Sequence, residues 1–140
     1  VTACRFALLS GGLSKTDATR FGHRALALLR DDGQGLNIMT YDLLAAQLPT
    51  LAVLAAKRQV EVSPDDANAY DTLAEALSYL GDKDAALAAA DTAIAREKSP
   101  DSRREYQKNR RRYARGAPSP IVAADRRHFE RTLVRYRISR

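Results

Sequence analysis

A chain of 140 residues is of single-domain size. It is 45% hydrophobic but only 6% aromatic and has no Trp, so its core has to be built from Ala and Leu rather than large rings. No apolar run reaches the roughly 18 residues of a membrane span, and the single cysteine excludes an internal disulfide.

The net charge of +6 is unevenly distributed: residues 1–100 carry ten Lys/Arg and thirteen Asp/Glu, residues 101–140 carry thirteen and four. A mildly acidic body is followed by a strongly basic tail, which divides the chain into segments 1–100 and 101–140. The chain opens on Val1, and no charged-then-apolar leader stands at its start. That leaves the compartment open between cytoplasm and periplasm. Val1-Thr2-Ala3-Cys4 is similar to a bacterial lipobox, but no apolar run precedes it. Cys4 is therefore read as a small buried hydrophobe.

Taken in order, residues 3–10 form a short or truncated first helix ended by Gly11-Gly12. Ser14 or Thr16 can cap the next helix, which runs to about Arg30 and turns Ala18, Phe21 or Gly22, Ala25, Leu26 and Leu29 inward. Asp31-Asp32-Gly33 closes it. A second pair of helices spans 35–46 and 49–62, with Pro49 in the first turn of the latter, where its missing N–H costs nothing. Ser63-Pro64-Asp65-Asp66 breaks the chain again, and either Asp can cap the helix after it.

The stretch 64–100 is the most regular. Tyr70, Leu73, Ala74 and Leu77 recur at spacings of three and four and so share one helical stripe. Gly81-Asp82 stops that helix and caps the next. Ala86, Ala90, Ala93 and Ile94 then line a second face. Steps of 34 residues toward the N-terminus lead from Ala86 to Ala52 and Ala18, from Ala90 to Ala56 and Gly22, and from Ile94 to Val60 and Leu26. Tyr70, Leu73 and Leu77 map in the same way onto Leu36, Met39 and Leu43.

This register resembles the tetratricopeptide repeat (TPR), a helix–turn–helix unit of 34 residues. With Ala67 as the first position, Ala74, Ala86 and Ala93 match the family's small residues at positions 8, 20 and 27. Ala90 at position 24 and Lys98 at position 32 depart from it. The resemblance implies an all-α, TPR-like solenoid of about three hairpins, with a basic C-terminal capping helix and a further amphipathic helix. Repeats of this kind also occur as C-terminal accessory modules of larger bacterial enzymes, which is an alternative reading of residues 33–100.

After Pro100 the repeat code ends, because Arg104, Gln107, Lys108 and Arg111 would occupy its packing positions. Residues 101–115 still read as a helix with a thin stripe of Tyr106 and Tyr113. Gly116-Ala117-Pro118-Ser119-Pro120 is a breaker. The last segment places Val122, Phe129, Leu133 and Tyr136 on one face, with Arg126, Arg127, Arg131 and Arg135 filling much of the remainder.

No catalytic, phosphate-loop or metal-ligand spacing occurs in the sequence. The expectation is a non-enzymatic scaffold without a cofactor. By the resemblance, its groove for a peptide or helix of a partner protein is lined by Asn37, Tyr41, Asn68, Asp71, Thr72, Glu75, Ser78 and Tyr79. Asp71 and Glu75 would repel an anionic terminus there. A second expectation is an anion-binding patch of Arg103, Arg104, Lys108, Arg110, Arg111, Arg112 and Arg115, suited to nucleic-acid phosphates and also to an acidic protein surface or anionic lipid.

Overall fold

The computed structural model describes residues 14–128, and among these every regular element is helical. The helices are α1 (Lys15–Leu28), α2 (Gly33–Ala45), α3 (Pro49–Val62), α4 (Ala67–Leu80), α5 (Lys83–Arg96) and α6 (Pro100–Ala114). Residues 120–128 are also helical. The expected helix at 3–10, Cys4, and the tail positions from Phe129 onward lie outside the described residues.

Local chemistry sets the boundaries. Ser14, Asp32, Asp66, Asp82 and Ser99 each accept a hydrogen bond from a first-turn N–H, so five of the helices α1 to α6 begin on a side-chain cap. The exception, α3, begins instead with Pro49 at its first turn. Gly81 ends α4 with φ +91°, a left-handed conformation that side chains with a Cβ rarely adopt. Asp32 therefore opens α2, whereas the sequence suggested only that it closed the helix before.

Each helix from α2 to α6 packs on its chain neighbours, and α4 also touches α2 and α6. The shared seam is narrow because its residues are small. Ala52, Ala56, Ala86, Ala90 and Ala93 are all fully buried, and Ala18 and Gly22 hold the matching places on α1. At Gly22 a Cβ would fall 2.7 Å from Leu51 Cδ1, so α1 approaches α3 more closely than any other residue type allows without movement. Leu36, Met39 and Leu43 of α2 are likewise completely buried, whereas Leu26, Val60, Tyr70, Leu73 and Ile94 are half-buried at the margin.

Arg58 pins the turn before α2: its Nε donates to the Arg30 carbonyl at 2.6 Å and its Nη2 to Asp31 at 2.8 Å. Helix α6 does not continue the packing pattern of the helices before it. Its Tyr113 is buried to 1% exposure, while Arg104, Lys108 and Arg111 face outward. The segment after it returns to the body, where Ser119 and Val122 are buried.

Leu77→Ala should lower unfolding free energy by about 2–5 kcal/mol, the cost of emptying a packed leucine site. Leu54→Ala, at a side chain 47% exposed, should change it by less than about 0.5 kcal/mol. Chemical denaturation of both variants checks the contrast, and equal losses would contradict this assignment of the core.

Candidate functional site

The alternate helices α2, α4 and α6 converge on one cavity of about 540 Å³. Tyr41 comes from α2, and Asn68, Asp71 and Glu75 from α4. Glu105, Tyr106, Lys108, Asn109 and Arg112 come from α6. Arg115, Ala117, Ser119, Pro120 and Ile121 close one side.

A buried polar network forms the floor. Glu75, with its side chain 2% exposed, is gripped by Arg112, 13% exposed, through both terminal guanidinium nitrogens, Nη1 and Nη2. One of these two bonds, Nη1 to Oε1, is 2.8 Å long. The Arg112 guanidinium also lies 4.7 Å from the centre of the Tyr113 ring. Asp71 receives only neutral donors: Asn109 Nδ2 donates to Oδ2 at 2.9 Å and Tyr113 Oη to Oδ1 at 3.1 Å. Spacing explains the geometry, since Asp71 and Glu75 are one helical turn apart, as are Asn109 and Tyr113.

The titration behaviour follows from this arrangement. Burial raises the Asp71 carboxyl to about 6; its two hydrogen bonds oppose the rise, and the neighbouring Glu75 charge adds to it. Arg112 is penalised by burial, but the Glu75 carboxylate outweighs that and holds it more firmly protonated than a free arginine. Burial, reinforced by the Asp71 and Glu75 charges, pushes the Tyr113 and Tyr41 phenols up. Tyr106 is pushed up to about 12, mainly by burial.

The residues singled out in the sequence fall into distinct places. Tyr41, Asn68, Asp71 and Glu75 line the cavity. Asn37 and Thr72 stand beside it, joined by a hydrogen bond of 2.7 Å from Asn37 Nδ2 to Thr72 Oγ1. Tyr79 is engaged by the returning chain, its hydroxyl accepting from the Ser119 N–H at 3.1 Å. Ser78 is half-buried and does not line the cavity. Asp71 and Glu75 thus line the cavity as interior groups bound by α6.

The basic set also divides. Arg112 is committed to Glu75, and Arg110 to Asp91, its Nε lying 2.5 Å from Oδ1. Arg103 donates to the Glu97 carbonyl. Arg104 pairs with Asp101, and Lys108 lies 3.5 Å from Glu105. Among the described residues, Arg111 and Arg115 make no ion pair.

Sequence reasoning missed Tyr106, Asn109 and the 117–121 segment as lining groups. A signal was present, since Tyr106, Asn109 and Tyr113 recur at spacings of three and four and share a face. Among the described residues no group of His, Cys, Asp and Glu could hold a metal ion, and no helix is long and apolar enough to cross a membrane. Compared with known proteins, the chain matches no protein-family model and no curated sequence.

Arg112→Ala strands the Glu75 charge in the interior and should cost about 3–5 kcal/mol, measured by denaturation at neutral pH. A loss below about 1 kcal/mol, the range of exposed pairs, would show that the pair is solvated. The raised Asp71 carboxyl makes the folded state the better proton acceptor between pH 3.8 and about 6. Its contribution to stability is therefore fully present below pH 3.8 and is lost as pH rises through about 6. Against Asp71→Asn, the wild type's relative stability should fall across this window, by at most about 3 kcal/mol. A pH-independent difference between the two proteins would contradict this.

Proposed function

We propose that the chain is a TPR-type recognition module that binds a peptide or helical segment of a partner protein in the cavity between α2, α4 and α6, without making or breaking bonds. The observation that carries this reading is the convergence of alternate helices on one concave cavity, behind a seam of buried alanines spaced by 34 residues. First helices of successive hairpins line the groove in such arrays. The cavity volume of about 540 Å³ lies within the about 300–1,000 Å³ of small binding pockets and suits a few side chains.

The chemistry of the lining favours a peptide. Asn68 supplies an exposed amide for a backbone partner, and Tyr106 supplies an aromatic surface. Tyr41 offers a ring of low conformational entropy from the opposite wall. Because Asp71 and Glu75 are engaged by Asn109, Tyr113 and Arg112, they hold the wall together and leave Tyr41, Asn68 and Tyr106 as the contacts.

A photo-crosslinking residue at position 68 should capture a discrete partner, while the same residue at position 54, on another surface, should not. Asn68→Arg should then weaken that partner's binding at least tenfold, with an unchanged unfolding midpoint. Equal capture at both positions, or binding indifferent to Asn68→Arg, would sink the proposal.

A further inference from the structure

We propose that the outward face of α6 binds the phosphate backbone of single-stranded nucleic acid, along a stripe whose Lys108 and Arg115 also reach the rim of the peptide cavity. Arg104, Lys108, Arg111 and Arg115 follow one another at spacings of four, three and four residues. On a helix this is one straight stripe, and at about 1.5 Å per residue it is about 16 Å long. It stands opposite Tyr113, the buried anchor of α6, and all four residues are exposed. The inward cations Arg110 and Arg112 are already engaged by Asp91 and Glu75.

Most of the stripe's charge is available to a partner. Arg111 and Arg115 make no ion pair among the described residues. Arg104 and Lys108 meet Asp101 and Glu105 only through exposed pairs, which contribute little and yield readily to another anion.

The form of the surface narrows the occupant. A lipid surface would need apolar side chains beside the cations to enter the membrane, but the tyrosines of α6 turn toward the body. An acidic protein would need a desolvated aromatic or aliphatic anchor at the centre of the contact, and the stripe holds only Arg and Lys. A polyanion backbone needs neither, since release of its counterions supplies the affinity.

The stripe is also narrow. Asp101 and Glu105 flank it, and residues 1–100 carry more acidic than basic groups. A duplex laid across α6 would meet Asp101 and Glu105 beside the stripe, whereas a flexible single strand can follow one line of charge.

The test is fluorescence anisotropy of the full chain with a labelled oligouridylate of about twelve nucleotides at low salt, a length within single-strand site sizes. Binding should weaken with salt, with a slope of log affinity against log salt of about −2 to −3, as about four contacts on a single strand give. Arg111→Glu with Arg115→Glu should weaken it at least tenfold. Arg111→Gln with Arg115→Gln should show a smaller loss and serves as the readout if the charge reversal disturbs folding. Absence of binding at low salt overturns the proposal, as does binding unaffected by either double variant. Tighter binding to a duplex of equal length, to phosphatidylserine vesicles or to polyglutamate also overturns it.

Discussion

The ion pair between Glu75 and Arg112 joins the acidic body of the chain to its basic tail inside the fold, where neither group is well hydrated. Bringing two charges out of water costs several kcal/mol per ion, and attraction between them offsets this only when their remaining hydrogen-bonding capacity is also met. Here Arg112 reaches both carboxylate oxygens and lies over the Tyr113 ring. Such a pair adds little net stability over a well-packed apolar pair. What it fixes is register: sliding α6 by one residue or rolling it by a quarter turn would strand both charges. The position of α6, and with it one wall of the cavity, depends on this constraint.

The same network sets the electrostatics of the cavity. The Arg112 guanidinium binds Glu75, so a charge on Asp71 has no ion-pair partner among the described residues. Asp71, whose donors among the described residues are Asn109 and Tyr113, takes up a proton as pH falls through about 6. Below about pH 6 the field at the cavity floor is therefore weaker than two adjacent acidic residues suggest. The groups left facing the cavity above them are rings and amides, with cations at the rim.

Helix positions and caps were legible in the sequence because they are local. Asp66, Asp82 and Pro49 act within one turn of their own position, and the alanine seam follows from a spacing that any helix of this length must bury. The expected divergence at residue 101 was visible for the same reason, as polar residues stood where small ones belonged. The orientation of α6 was legible in part, from the stripe of Tyr106 and Tyr113, but the inward place of Asn109 was not read. Arg104, Lys108 and Arg111 cannot enter a core without partners, so the helix is turned to place Tyr113 and Asn109 inward instead. The burial of Asp71 and Glu75 was equally hidden, because the groups that engage them lie 37 to 42 residues away. Periodicity within α4 carries no information about that distance.

A helix with so many cations serves two physical roles that depend on distance from solvent. Arg110 and Arg112 have carboxylates within hydrogen-bond reach and turn toward the body, although Arg110 remains largely in water. For Arg112 the low dielectric magnifies any geometric error, and a change there alters the fold. Arg111 and Arg115 sit in water, where screening confines their influence to about 8 Å at physiological ionic strength. Neighbours along the stripe are about 4.5–6 Å apart by helical rise, so their fields overlap and act on an approaching anion together. One sequence stretch of uniform composition is thus divided by its rotation against α4 into a structural half and an electrostatic half. The division is set by which side of Tyr113 each arginine falls on.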